Sequence, residues 1–489
     1  MRIPIKRHQT KVYPDSKRVI ARFFFNGEQR ARDVIERVTK LSDQEVFGIL
    51  SPLLQEYSRR HRNITKVLHR HSNRIKAIVQ VMGIDFDALE YNKRLLLGAY
   101  FTHEYSIESA AFFNPSLVED PDQSDLEDGQ KRLIISFRAV GEGHISSIAF
   151  RRAIIDSDQN IQILPVGNYV DEAEIIRGAV YKKELFFEKA AVSRISESVL
   201  EALAPKFNDE FDYVALRRIV LDSQRMETDD LKKLEYEKIL WLSDSYNEII
   251  FSFDTDISDR VIFPISELER KGIEDARFVK FTDENGNTIY YATYTAYDGA
   301  LIMPKLLQTS DFYTFKIRPL HGAGAQNKNL ALFPRKINGK YVMLSRIDGW
   351  NNYIMYSNDI NLWDDPQLLQ RPQNPWEFTQ IGNCGSPLET DEGWLVITHG
   401  VGPMRKYCLG ASLLKLDDPS VEIGRLKHPL LAPNSDEREG YVPNVVYSCG
   451  AFINNGELIL PYGLSDYGSA FASVNVKALL AKIKSDSQE

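Results

Sequence analysis

"GKYVMLSRIDGWNNYIMYSND", residues 339–359, sets two strand-forming apolar runs on either side of a short polar segment carrying Gly349. The same shape recurs in "RLIISFRAVGEGHISSIAFR" (132–151), "TIYYATYTAYDGALIMPKLLQTSD" (288–311), "GWLVITHGVGPMRKYCLGASLLKLDD" (393–418) and "GELILPYGLSDYGSAFASVNV" (456–476). The last four copies begin about 50 to 60 residues apart, room for a four-stranded unit. Hairpins repeated at that period predict a mainly β chain in which each sheet buries its faces against its neighbours, a five-bladed β-propeller. The competing arrangement is a β-sandwich of unrelated hairpins.

Helical patterns flank and interrupt the repeats. Residues 30–82 and 188–240 carry Val, Ile and Leu at helical spacing among Glu and Lys, and Ser42 in "LSDQEV" stands at a helix-cap position. The expected organisation is a helical N-terminal extension over 1–95 and a propeller over 96–480. A helical insertion at about 170–245 separates the first two blades, and a disordered tail occupies 481–489. "FNPSLVED" (113–120) marks the start of the propeller, because Pro115 and the polar run after it break the helix pattern.

Composition narrows the function classes. The chain has 489 residues, 43% of them hydrophobic and 26% charged, with 60 basic against 68 acidic side chains and a formal net charge of −8. That balance gives no general attraction for nucleic acid. Cys384, Cys408 and Cys449 are an odd, dispersed set, which argues against a disulfide framework and for a reducing compartment. No metal is expected, since no cysteine pairs with a histidine at ligand spacing. No run is long and apolar enough to span a bilayer, and the N-terminus lacks the apolar stretch of a secretory signal. The expected location is therefore cytoplasmic, with no membrane partner. The densest basic run, "RRHRNITKVLHRHSNR" (59–74), is read first as a solvated helix face and second as an anion- or partner-binding surface.

Loops between paired strands converge at one end of a propeller. Here they carry Arg138 and His144, Tyr294 and Asp298, Arg346 and Asp348, His399, and Tyr462 and Asp466; Glu274, Asp275 and Arg277 lie between blades. Acids, cations and hydroxyls around one axis suit the donors and acceptors of a sugar, and Tyr294, Trp350 and Tyr462 offer faces for a pyranose. Several carboxylates together point to glycoside cleavage. For Asp298 and Asp348 the plainer alternative is ordinary turn chemistry, and for His399 a buried structural histidine. Glu274 and Asp275 are adjacent, so strand alternation sends them to opposite faces and only one is expected to look into the site.

Four ordered blocks, "GIEDAR" (272–277), "NKNLALFPRKINGKYVMLSR" (327–346), "GSPLETDEGWLVITHGVG" (385–402) and "EGYVPNVVYSCG" (439–450), resemble those of glycoside hydrolase family 130, the β-mannoside phosphorylases and β-mannosidases. The resemblance spans roughly residues 95–480 and implies a five-bladed propeller acting with inversion on β-linked manno-oligosaccharides. It places the family's proton donor on Asp275, with Ala276 where a proline is usual. In the phosphorylases that proton is thought to travel through a sugar hydroxyl, and Glu274 or Arg277 would shape the site.

The nucleophile, water or phosphate, divides the family. By resemblance, the phosphate-binding Arg-Asn pair becomes Lys328 and Asn329, a lysine becomes Gln380, and His399 is kept; Arg346, Arg405 and Lys406 are nearby cations. One lost cation, with Glu389 and Glu437 resembling the base candidates of hydrolytic members, favours β-mannosidase activity. The alternative is an inverting phosphorylase releasing mannose 1-phosphate, with inorganic phosphate as co-substrate and no other cofactor. A non-catalytic glycan-binding propeller and an arabinan-cleaving enzyme are further alternatives. The N-terminal helices are a candidate for homo-oligomer assembly or for a clamp on the propeller.

Overall fold

The computed structural model describes residues 3–176, 180–193, 195–299 and 301–488 and is mainly β. All five repeats are antiparallel hairpins, each the centre of a larger antiparallel group. Strands Lys131–Val140 and Ser146–Ile155 pair with each other and with Ala111–Glu119. Gly272–Thr282, Thr288–Tyr297, Ile302–Thr309 and Thr314–Pro319 form the second meander, tied to the first by the parallel pair Gly272–Ser146. Tyr341–Ser345 with Asn352–Ser357, Gly393–Val401 with Tyr407–Leu414, and Glu457–Leu464 with Gly468–Asn475 centre the remaining three.

Period-2 patterning drives these strands into two-sided burial. Leu133, Ile135 and Phe137 face one core while Ile134 packs into another on the opposite side of the same strand. Such double coverage requires a neighbour on each face, as stacked sheets provide.

Three expectations need correction. The N-terminal region is not only helical. Its first strand, Lys6–Val12, pairs with Gly468–Asn475 and becomes the outer strand of the last sheet, and Val19–Phe23 pairs with Thr102–Ser106. The helical layer lies between them, from Glu28–Thr39 to Tyr91–Tyr100, past the expected limit at 95. At the C-terminus, Val476–Gln488 is a helix rather than a disordered tail, held by buried Leu479, Leu480 and Ile483. The basic run is neither a bare solvated face nor a free anion site. Arg60 reaches Glu104 within the N-terminal layer, while Arg62, Lys66 and Arg70 reach Asp254, Glu174 and Glu172 and tie that layer to the segments beyond it.

The helix cap expected at Ser42 is present. Ser42 closes a reciprocal capping box with Glu45, worth about 1 kcal/mol at such positions. The insertion supplies helices Lys183–Val192, Glu197–Leu203, Tyr213–Met226 and Asp230–Ser243, which cover one face of the first two sheets. No helix among the described residues is long and apolar enough to cross a membrane.

Candidate active site

Strand Gly272–Thr282 is regular except at one step. Glu274 pairs with Thr295 and Arg277 with Thr293, so Asp275 and Ala276 together oppose Tyr294 in a β-bulge. Asp275 has φ 55°, the left-handed region that is sterically unfavourable for a residue with a Cβ. The bulge breaks the alternation expected of Glu274 and Asp275. Both turn toward Arg138, whose guanidinium lies 2.7 Å from Glu274 and 3.8 Å from Asp275.

A second bulge faces the first. Strand Ala111–Glu119 slips between Phe113 and Ser116, and Asn114, also left-handed at φ 50°, donates from Nδ2 to Asp275 Oδ1 at 2.8 Å. Gly463 packs closely behind Asn114, where a Cβ would stand a tight 3.0 Å from its backbone N and Oδ1. Glu274 also takes Lys328 Nζ at 2.6 Å besides Arg138. Asp466 completes the acidic side. Burial, reinforced by the carboxylates of Asp275 and Glu274 and opposed by Arg138 and Arg405, pushes its carboxyl up to about 6.

Beyond Asp275 the floor is cationic. Buried Arg277 donates to Asn383 Oδ1 at 2.6 Å and to the Tyr447 hydroxyl at 2.6 Å, and Asn329 Nδ2 reaches the same hydroxyl at 2.8 Å. Arg346 lies 3.3 Å from His399 Nε2; because a guanidinium only donates, this nitrogen is the acceptor. Burial, with Arg346 and Arg277 nearby, holds the His399 imidazole well below its usual range, so it is neutral at pH 7. Gly382 lets this floor close, because a Cβ there would sit 2.5 Å from the His399 ring. Among the described residues neither Arg277 nor Arg346 has a carboxylate within ion-pair distance. Arg346 Nε, Arg138 Nε and Asn114 Oδ1 are buried without a hydrogen-bond partner.

Several residues expected in the site are elsewhere. Tyr294 is buried and donates to Glu269, and Tyr462 is buried and donates to Glu437; neither presents a face to a sugar. Asp298 accepts from Leu301 N, and Asp348 from Trp350 N and Asn351 N, as turn residues do. Glu389 is solvent-exposed in a bidentate pair with Arg335, at a cavity also lined by Lys280 and Thr282. Lys280 is five residues along the strand from Asp275, roughly 16 Å at strand rise. Glu437 is held by Arg7 at 2.8 Å, Tyr462 at 2.7 Å and Asn434 N at 3.1 Å. Burial raises its carboxyl, but these bonds outweigh it and keep the group below the ordinary range.

Three of the remaining candidates lie on turns or at a strand end. His144 is exposed at a hairpin tip, its ring 5.3 Å from that of Tyr441. Arg405 is exposed on the turn after Gly393–Val401, and Gln380 opens the strand that carries Gly382. Sequence reading missed Asn114, Asn383 and Tyr447. Asn114 was visible only as the residue before Pro115, whereas Asn383 and Tyr447 lie in or beside the blocks quoted above.

Comparison with known proteins gives the context. The profile of a glycoside hydrolase 130 family, described as β-1,4-mannooligosaccharide phosphorylase, matches residues 216–485. A 1,2-β-oligomannan phosphorylase of Thermoanaerobacter sp. is 38% identical over 221 residues, 43% of this chain and 71% of that protein. A β-1,2-mannobiose phosphorylase of Listeria innocua is 29% identical over 316 residues, 61% of this chain and 87% of that protein. The structure of a Listeria innocua β-1,2-mannobiose phosphorylase with β-1,2-mannobiose aligns with a TM-score of 0.45 at 21% identity, covering 78% of this chain and 93% of that one. With more than half its length matched by the family profile, the chain is an enzyme of glycoside hydrolase family 130.

Proposed function

We propose that the protein is an inverting β-mannoside phosphorylase, built as a five-bladed β-propeller whose five hairpin groups close around the Asp275 pocket. The observation that carries this reading is the pair of guanidinium groups of buried Arg277 and half-buried Arg346, neither with a carboxylate partner among the described residues. Buried cations call for an anion or for pairing. Phosphate, bound over Arg346, Asn329 and neutral His399, supplies the charge and is the nucleophile.

In this mechanism Glu274, Arg138 and Asp466 hold the hydroxyls of the mannosyl unit, and Asn114 orients the Asp275 carboxyl. A phosphate oxygen attacks the anomeric carbon on one face as the bond to the glycosidic oxygen breaks on the other. Asp275 supplies the proton that the departing oxygen gains, through a sugar hydroxyl. The products are α-mannose 1-phosphate and a chain shorter by one mannose.

The expected preference for hydrolysis is reversed. An inverting hydrolase needs a second carboxylate about 6.5–9.5 Å from the acid to hold a water. Glu389 stands on another strand, beside the far end of the one that carries Asp275, and Glu437 is fully engaged by Arg7 and Tyr462. Both sequence relatives named above are described as phosphorylases of β-1,2-linked mannosides.

The test is to incubate the enzyme with β-1,2- and β-1,4-mannobiose, with and without inorganic phosphate, and identify the products. Mannose 1-phosphate formed only with phosphate supports the reading. Free mannose at a rate indifferent to phosphate refutes it.

A further inference from the structure

Three side chains behind the Asp275 bulge form a buried ionic knot that neither the mechanism nor substrate contact requires. Glu269 is 2% exposed, Lys305 0% and Tyr294 3%. Lys305 Nζ and the Tyr294 hydroxyl both donate to Glu269 Oε1, at 2.7 and 2.8 Å. The other carboxylate oxygen takes the backbone N–H groups of Ile265 and Ser266, at 2.8 and 3.1 Å.

A buried ion pair contributes little net stability, because desolvation offsets the Coulomb attraction, and apolar residues of the same volume often serve as well. Its place in the fold is what distinguishes this one. Tyr294 is the single residue opposite the two-residue bulge of Asp275 and Ala276, and Lys305 pairs with Tyr294 on the next strand. The knot thus occupies the rung of the sheet on which Asp275 is forced into its left-handed conformation. Ala276 and Tyr294 belong to the same core cluster, and Glu269 stands three residues before Gly272, where the strand begins. A left-handed residue with a Cβ persists only where its surroundings over-determine it.

We propose that Glu269, Lys305 and Tyr294 are positioning residues that fix the bulge and thereby aim the Asp275 carboxyl at the reacting bond. This rests on Asp275 being the proton donor, as proposed above. None of the three touches substrate. Removing the Tyr294 hydroxyl releases the ring from Glu269 and lets the bulge relax toward regular pairing, which turns Asp275 away from Asn114.

Tyr294→Phe keeps the ring and removes the anchor. The expected result is a kcat roughly tenfold lower with the sugar KM within about twofold, a pattern of lost transition-state alignment. Glu269→Gln, which still accepts from Tyr294, is expected to retain more activity than Glu269→Ala. A wild-type kcat in Tyr294→Phe, with only a lowered Tm, would overturn the proposal by making the knot merely structural. A crystal structure of Tyr294→Phe gives a readout independent of turnover. Loss of the left-handed Asp275 and of its contact with Asn114 supports the proposal, and their retention overturns it. Should the wild-type enzyme show no phosphorolysis, the proposed function fails while this structural result still decides the positioning role.

Discussion

The pocket around Asp275 and the knot around Glu437 are built from the same kinds of side chain, yet they differ in how completely charge is paired. At Glu437 every strong partner is present. Arg7 arrives from the first strand, Tyr462 from the last sheet and Asn434 from the backbone. Around Asp275, two strand bulges, four left-handed residues (Asn114, Asp275, Asn329 and Asp466) and two guanidinium groups without carboxylates concentrate in one place. A saturated carboxylate is a structural tie; an under-paired, strained cluster has interactions left to give a substrate.

The largest expected effect comes from the acid itself. Asp275→Asn should lower kcat by about 10²–10⁴-fold, the range of general-acid contributions, while mannoside binding persists. Turnover close to wild type would break the comparison. Next comes the cationic floor: Arg346→Ala should lower phosphate-dependent kcat/KM by about 10²–10³-fold, the scale of one lost preorganised charge contact. Kinetics against phosphate concentration check this, and an unchanged dependence would remove Arg346 from the nucleophile site.

Asp466 sharpens the contrast through pH. Its folded carboxyl lies at about 6 against an ordinary 3.8, so the native state binds the proton more tightly than the unfolded chain. Between these values stability falls as pH rises, by on the order of 2–3 kcal/mol in full. Asp466→Asn should therefore raise Tm at pH 7.5, leave it unchanged near pH 3.5, and cost activity. An equal shift at both pH values would contradict the assignment. Glu437→Gln should lower stability by about 1–3 kcal/mol, as the buried carboxylate's bond to half-exposed Arg7 is weakened, with kcat unchanged. A collapse of kcat at full stability would restore Glu437 as a base. The smallest effect is expected at Glu389, whose exposed pair with Arg335 is worth roughly 0–1 kcal/mol.

Sequence reading located the five hairpins because each is a local pattern: two apolar runs and a turn within about twenty residues. Lys6–Val12 was out of reach, since its partner strand begins at Gly468 and nothing local specifies so distant a pairing. The C-terminal helix was legible in the spacing of Leu479, Leu480 and Ile483, but the polar residues after 481 obscured it. Asp275 emerged from its block, whereas the bulge that turns it beside Glu274 depends on a neighbouring strand. Tyr294 and Tyr462 were misplaced for a related reason. Alternation assigns residues to two faces without saying which face meets the ligand, and for these two it was the core.

The central claim is that the unpaired cationic floor is an anion site that recruits phosphate. Calorimetric titration of inorganic phosphate into the wild-type enzyme and into Arg346→Ala tests it most directly. The account predicts saturable one-site binding in the wild type that is lost in the variant. No saturable binding in the wild type, or equal binding in both, would contradict it.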